Sequence, residues 1–271
     1  MENAECIVLK NEVDYSKEVC LFVTHSVDCT TKPHVAHHVR CLVNEGFQVV
    51  LIFNTDKMSL ARRALAFTDP RGIIVRRNIG FDFGAWADAL RISPDLWECQ
   101  RLLLVNDSVI GPAKNAIELF QRLRRIPADL VGLIESYEHV RHFQSFFLML
   151  NKPALQNFGV RQFWHGVVNL ETKTEVIKAY ELGFTEHCRR CGLVTKAVFQ
   201  QSLTTNRVRR TNPTILYWRQ LMSVGFPYIK IELVRDRLSS QSLQELKLLA
   251  RDQALNPFID SYASMRAAVK R

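Results

Sequence analysis

The chain lacks long apolar runs and a set of cysteines that could pair. Its longest hydrophobic stretches have the length of strands, so we expect no helix that spans a membrane. The start Met-Glu-Asn-Ala-Glu has neither the basic nor the apolar region of a signal peptide, which predicts a cytoplasmic protein. Seven cysteines, an odd number spread over 271 residues, indicate reduced thiols and not a disulfide framework.

Acidic charge is also scarce, because 27 Asp and Glu face 36 Lys and Arg, which gives a net charge of +9. This balance indicates an anionic partner: a nucleotide, a nucleic acid or a phospholipid surface. Part of the surplus lies in two arginine clusters, at 122–125 and 207–210. Such clusters are typical of a solvated helix face.

Hydrophobic residues make up 47% of the chain, enough for a large core, and their order predicts an α/β fold. Apolar runs typical of buried strands lie at 19–23, 49–53, 73–75, 102–105 and 130–134. Helical spacing lies between several of them, near 34–45, 84–92 and 113–125. This alternation favours a mostly parallel, Rossmann-like sheet with helices on both faces, and a run at 142–150 predicts a late antiparallel strand.

The pattern changes beyond residue 140, where a helical stretch near 174–191 and a hydrophobic segment punctuated by prolines at 213–229 follow. We predict a catalytic domain at 1–212 and a C-terminal helical extension at 213–271 that packs on it. The leucines at 243–249 have a helix-like setting, which favours this extension.

Polar residues follow the predicted strands, and in parallel sheets ligands bind at this carboxyl edge. The candidates at these strand ends are Thr24, His25, Asp56, Asn78, Asp107 and Glu135. The junction after 73–75 also contains Gly80, Asp82 and Gly84 and should face a ligand, and we expect its glycines to permit close backbone approach or a positive φ. The strand ends should therefore form one crevice if the strands are neighbours in the sheet, an order that the sequence by itself does not give.

Asp107 follows a buried strand and suits a divalent cation that bridges to a diphosphate, although an Asp here can instead cap a turn. His34, His37 and His38 have helical spacing without an accompanying carboxylate, which favours a solvated or capping role over a metal site. The pair at 188–191 lacks a second thiol pair and is read as incidental cysteines on a helix.

Two further candidates lie after residue 140. His142 and Gln144 alternate on one strand face, where they either reach into a cleft or form a satisfied edge-strand pair. Trp164 offers either a stacking platform for a sugar ring or an anchor in the core.

Several ordered motifs together resemble the rhamnan synthesis protein F family, bacterial proteins of polysaccharide and O-antigen assembly viewed as GT-A-type glycosyltransferases. The motifs lie at 78–86, 106–112, 142–147, 163–164 and 212–230. The resemblance implies a GT-A-like fold, a nucleotide-sugar donor such as dTDP-rhamnose and an acceptor glycan on a lipid carrier. It also implies a place at the cytoplasmic face of the membrane, where the basic surplus would contact anionic lipid.

By position, the resemblance implies that Asn78, Gly80 and Asp82 line the nucleotide pocket. Asp107 would take the place of the family type's metal-binding Asp-x-Asp motif and hold Mg²⁺ or Mn²⁺. Here the motif reads Asn-Asp-Ser, which leaves a single carboxylate.

The resemblance further implies a general base eleven residues ahead of a glycine, and Glu181 stands that far before Gly192. The reaction would be a single displacement with inversion, and Glu135 is the alternative base. A surface carboxylate on a helix is the alternative reading of Glu181.

The same residues bear on three other functions. A nucleotidyltransferase would have a Gly-rich loop with Arg and Lys after the first strand, which 24–28 does not provide. A nucleic-acid-binding module would interleave aromatic residues with the arginines, so no nucleic acid is expected. A degenerate scaffold of a polysaccharide-synthesis complex is consistent with the single carboxylate of the metal motif.

Overall fold

A sheet of nine strands organises the computed structural model, which describes residues 5–113, 116–199 and 211–269. Its strands are β1 (Cys6–Asn11), β2 (Glu18–His25), β3 (Gln48–Thr55), β4 (Gly72–Arg77), β5 (Arg101–Asn106), β7 (Leu130–Ser136), β8 (His142–Phe143), β9 (Phe147–Asn151) and β10 (Thr195–Phe199). Their order is β1-β4-β3-β2-β5-β9-β7-β10, with β8 paired to β7. A separate ladder joins β6 (Val109–Ile110) to β11 (Ile229–Lys230).

The sheet is mostly parallel, as predicted. Strands β4, β3, β2 and β5 are parallel neighbours, and β10 is parallel to β7. Strand β9 runs antiparallel between β5 and β7, which confirms the late antiparallel strand. The predicted run at 142–150 is, however, broken, because 144–146 leave the ladder between β8 and β9. This break turns their polar groups toward the carboxyl edge.

Helices cover the sheet. They are α1 (Pro33–Asn44), α2 (Phe81–Ile92), α3 (Ala116–Arg125), α4 (Lys152–Gln156), α5 (Phe158–Gly166), α6 (Lys173–Val176) and α7 (Leu182–Arg190), followed by α8 (Pro213–Leu216), α9 (Trp218–Ser223), α10 (Ser240–Ala250) and α11 (Asn256–Val269). Short 3-10 helices lie at Met58–Ala66, Pro94–Glu98 and Gln253–Leu255, and π-helical turns at Ile177–Glu181 and Leu233–Arg237. Residues 174–191 are thus helical with a π turn in the middle.

Alternation along β2 explains why both faces of the sheet are buried. Cys20 and Phe22 belong to the core on one face, whereas Val19, Leu21 and Val23 belong to the core on the other. Successive side chains of a strand point to opposite faces, so an uninterrupted apolar run needs helices on both sides. The prediction of helices on both faces is confirmed.

The segment after residue 213 forms a third apolar cluster. Trp218, Leu246 and Ile259 pack there with Ile110 of β6 and Ile229 of β11. This cluster places the C-terminal helices against the end of the central sheet. The domain boundary at 212 remains a prediction.

The expected solvated or capping role of the α1 histidines is corrected for His34 and His38, which are buried and not solvated. His38 is 1% exposed, and its Nε2 lies 3.0 Å from the hydroxyl oxygen of Tyr228. His34 is 3% exposed, and Tyr262 of α11 lies 3.1 Å from its Nδ1. The C-terminal segment covers this face of α1, which spacing within α1 does not reveal.

In the first arginine cluster Arg122 and Arg125 are exposed, as expected, whereas Arg124 is partly buried. Arg124 bonds Glu18 at 2.8 Å and Glu45 at 3.4 Å, so it ties α3 to β2 and to the end of α1. The second cluster, at 207–210, lies outside the described residues. All seven cysteines carry free thiols. Within the described ranges, none of the helices has the length and apolar character needed to cross a bilayer.

Candidate functional site

A cavity of about 950 Å³ opens at the carboxyl edge of the parallel strands. Strands β2, β3 and β5 end at its wall, so the polar residues after them meet there, as the sequence predicts. Acidic and basic side chains both line it: Asp82, Asp107, Glu181, Lys32, Lys173 and Lys230. A volume of this size accommodates a small-molecule substrate.

The carboxylate of Asp107 is held by three donors at one oxygen. Thr24 Oγ1 donates to Asp107 Oδ2 at 2.7 Å, the Lys32 ammonium lies 2.9 Å away, and the His25 backbone N–H donates at 3.3 Å. The backbone carbonyl of Asp107 accepts from His34 at 3.3 Å. These contacts fix the strand end against β2 and the start of α1.

Asp82 lies in the first turn of α2 and faces the same cavity. Its Oδ2 accepts a 2.6 Å hydrogen bond from Asn106 Nδ2, while Asn106 Oδ1 accepts from Ser108. Burial, reinforced by the nearby charge of Glu181, raises the pKa of Asp82. Two carboxylates that face one cavity are a common source of general acid or base groups.

Glu181 is the last residue of the π-helical turn 177–181 and lines the cavity. Its Oε1 accepts a hydrogen bond from the backbone N–H of Ser145 at 3.1 Å. Ser145 belongs to the break between β8 and β9, so that break orients the carboxylate. π-helical turns occur frequently at functional sites.

Lys230, at the end of β11, is a cavity residue that sequence reasoning missed. Its Nζ lies 3.1 Å from Ser108 Oγ and 4.4 Å from the centre of the Phe146 ring. Burial lowers its pKa to about 8. The available signal was its place at the end of the 212–230 motif. Lys32 and Lys173 were missed too, because isolated lysines carry no local pattern.

His142 and Gln144 both line the cavity, which agrees with the cleft reading, although only His142 belongs to β8 and Gln144 lies in the break after it. Gln144 is held by a small polar network, since its Nε2 donates to Asn212 at 2.7 Å and its Oε1 accepts from Thr214 at 3.2 Å. His142 Nδ1 lies 2.8 Å from the carbonyl oxygen of Val140. Their proposed contact with sugar or acceptor remains a prediction.

The glycines of the β4–α2 junction permit a positive φ, +70° at Gly80, and the close approach of another group, which here is a protein side chain. A Cβ on Gly80 or Gly84 would lie 2.0 or 2.2 Å from Asn169 Oδ1. Asn169 Oδ1 in turn accepts from the fully buried Arg76 at 2.8 Å, and Arg76 pairs with Asp88 at 2.7 Å. Gly80 therefore supports the turn, whereas Asn78 and Asp82 beside it line the cavity.

The other predicted residues lie outside the cavity lining. Thr24 acts through its bond to Asp107, and Asp56 is exposed beyond β3. Glu135 of β7, the alternative base, bonds Arg141 at 2.7 Å and Arg189 of α7 at 3.2 Å. Because both arginines form ion pairs with the Glu135 carboxylate, the geometry disfavours Glu135 as the base.

Trp164 is a core anchor and not an open stacking platform. It is 1% exposed and stacks on Phe83 with ring centres 5.5 Å apart and planes at 14°. The apolar face of α5 packs this ring between α2 and α7, so neither face of the ring is available to a sugar.

A divalent cation requires several oxygen ligands. In the described part of the chain, no group of three or more His, Cys, Asp or Glu side chains could hold a metal ion. The single carboxylate of the motif, Asp107, is already paired with the Lys32 ammonium at 2.9 Å. This donor set does not fit a metal site built by the protein.

Comparison with known proteins adds a family and several relatives. The profile of the rhamnan synthesis protein F family matches residues 49–254. The virulence protein VirA of Vibrio anguillarum is 27% identical over 259 residues, which cover 83% of this chain and 82% of VirA. Uncharacterized protein y4gN of Sinorhizobium fredii is 24% identical over 187 residues, which cover 65% of this chain and 49% of that protein.

Two solved glycosyltransferases have more distant similarity. The mannosyltransferase PcManGT from Pyrobaculum calidifontis, in complex with GDP-Man and Mn²⁺, has a TM-score of 0.41 at 10% identity and covers 97% of this chain and 77% of its own. A glycosyltransferase involved in glycosylation of the PBCV-1 major capsid has a TM-score of 0.33 at 9% identity, and the match covers 70% of this chain and 96% of that protein's chain.

Proposed function

The chain belongs to the rhamnan synthesis protein F family, and on this premise we propose that it is a nucleotide-sugar-dependent glycosyltransferase of bacterial cell-surface polysaccharide. Membership of the family supports the general class, a polysaccharide glycosyltransferase. The donor, the acceptor and the stereochemistry are parts of the proposal.

One observation carries the proposal: acidic and basic groups converge in one cavity at the carboxyl edge of a parallel sheet. Glu181 and Asp82 bring carboxylates, and Lys230 brings an ammonium group, into a space of about 950 Å³. Sugar transfer from a nucleoside diphosphate needs these two chemistries together. A base must take the acceptor's proton, and cations must stabilise the departing diphosphate.

The acceptor hydroxyl would be deprotonated by Glu181, whose Oε1 is oriented by the Ser145 backbone N–H at 3.1 Å. The acceptor oxygen then forms a bond to the anomeric carbon as the bond from that carbon to the diphosphate oxygen breaks. The electron pair of the broken bond leaves with the diphosphate, and the proton remains on the Glu181 carboxylate. Attack from the opposite side inverts the anomeric centre.

Asn78 and Asp82 would contact the nucleotide, and His142 with Gln144 would contact the sugar or the acceptor. The donor that we propose is dTDP-rhamnose, and the acceptor is a growing glycan on a lipid carrier. The net charge of +9 supports work at the cytoplasmic face of an anionic membrane. A GT-A-type fold with a divalent cation remains the prediction from the resemblance, and no step above uses a metal.

Transfer of labelled sugar to a lipid-linked glycan fraction tests the proposal, with dTDP-rhamnose, UDP-glucose and GDP-mannose as donors. Glu181→Gln should lower the turnover rate by about 10²–10⁴-fold, the usual contribution of a general base. Glu186→Gln is the matched control, because Glu186 is exposed on the following turn of α7 and does not line the cavity. Its rate should equal that of the wild type.

Two results would contradict the proposal. Full transfer by Glu181→Gln would remove Glu181 as the base, and absence of both transfer and nucleotide binding would favour a scaffold. The anomeric configuration of the product, measured by NMR, decides between inversion and retention.

A further inference from the structure

Two lysines from remote parts of the chain contact adjacent residues just after β5. The Lys32 ammonium, from the residue that precedes α1, lies 2.9 Å from Asp107 Oδ2. The Lys230 ammonium, from β11, lies 3.1 Å from Ser108 Oγ. Two neighbouring residues at the wall of the cavity, Asp107 and Ser108, thus each contact an ammonium group.

The Asp107 carboxylate is already satisfied within the protein. Thr24 donates to Asp107 Oδ2 at 2.7 Å, in addition to the Lys32 ammonium. A cation at this carboxylate would have to displace or share the Lys32 contact. The Lys32 ammonium therefore supplies, at the Asp107 carboxylate, the positive charge that a metal ion would otherwise bring to an Asp-x-Asp motif.

The Lys230 ammonium forms its short contacts with neutral groups, although the nearby carboxylates of Glu181, Asp82 and Glu232 partly offset the effect of burial on its pKa. Among the described residues, the contacts of its ammonium group are the hydroxyl of Ser108 and the face of the Phe146 ring. With its pKa lowered to about 8 by burial, the group is still largely cationic at neutral pH. A desolvated ammonium whose contacts are neutral is well suited to bind a phosphate oxygen.

We propose that Lys32 and Lys230 together bind the diphosphate of the sugar donor directly, so that binding of the nucleotide does not require a divalent cation. This inference rests on the proposed function. When the bond between the sugar and the diphosphate breaks, negative charge accumulates on the terminal phosphate oxygens. Two preorganised ammonium groups stabilise that charge at its site of formation.

Calorimetric titration with dTDP, UDP and GDP tests the inference, each in EDTA and again with Mg²⁺ or Mn²⁺. We expect one nucleotide to bind in EDTA, with an affinity that the metals raise by less than about threefold. Lys230→Met and Lys32→Met should each weaken this binding tenfold or more, because each removes a charge-assisted bond to phosphate. Lys230→Arg keeps the charge and should retain more affinity than Lys230→Met.

Lys196→Met is the matched control, since Lys196 is exposed on β10 and does not line the cavity. Thermal melting of every variant shows whether it is folded. Binding that requires a metal, or binding in EDTA that folded lysine variants leave unchanged, would overturn the inference while the proposed function stands. Absence of nucleotide binding under all conditions would overturn both.

Discussion

Gly84→Ala gives the sharpest test of how the β4–α2 junction is held. In a helix, replacing Gly by Ala usually stabilises a protein by about 0.5–1 kcal/mol. Here the new Cβ would lie 2.2 Å from Asn169 Oδ1, so the Asn169 side chain has to move. Its oxygen then no longer accepts the 2.8 Å hydrogen bond from the buried Arg76.

The expected change in the free energy of unfolding is the difference between these two opposing effects. A hydrogen bond to a charged group contributes about 1.5–3 kcal/mol, and loss of it exceeds the gain in helix propensity. We therefore expect Gly84→Ala to lower the free energy of unfolding by about 1–2 kcal/mol. Gly183→Ala is the matched control, because Gly183 lies in α7 and a Cβ added there would meet no atom within 4 Å, so this change should stabilise the protein.

Urea denaturation measures both changes through the transition midpoint at constant m-value. The same Gly84→Ala change in an Asn169→Ala background should lose its cost, since the obstructing oxygen is then absent. A Gly84→Ala protein as stable as Gly183→Ala, or a cost that persists without the Asn169 amide, would refute this reasoning.

Two further predictions concern buried rings. Burial lowers the pKa of His38 well below its usual value. As the pH falls below about 6.5, this histidine is protonated in the unfolded chain but not in the folded protein. The free energy of unfolding should therefore decrease by up to about 1.4 kcal/mol per pH unit. Urea midpoints at pH 7.5 and 5.5 check this, and His38→Gln should show a smaller difference between the two; an equal difference would contradict it. Trp164→Phe should lower the free energy of unfolding by about 0.5–3 kcal/mol, because the smaller ring leaves space in the core. The dissociation constant of the nucleotide should stay within about twofold of the wild-type value. A larger loss of binding in the folded variant would show that Trp164 contributes to the site.

The sequence predicts where each apolar run stops, but the order of the strands in the sheet decides which strand ends meet. Asn78 and Asp107, which follow β4 and β5, line one cavity because β4, β3, β2 and β5 are parallel neighbours. The role of Glu181 as a general base is predicted only from the family resemblance. Nothing in its own helix distinguishes it from a surface carboxylate, and the Ser145 N–H that orients it comes from a distant break in the sheet.

Contacts between remote segments account for the features that the sequence did not predict. Whether Gly80 faces a ligand or protein depends on Asn169, and the burial of His34 depends on Tyr262 of the last helix. Local periodicity carries no information about either partner.

The sequence by itself determined the α/β order, the direction of the central strands and the edge at which polar groups gather, because these follow from local spacing and from the short reach of the backbone between elements. Only the tertiary structure decided which charges share the cavity. Lys230 meets Ser108 across 122 positions of chain, and packing of the C-terminal segment, not any local motif, brings that ammonium to the strand end.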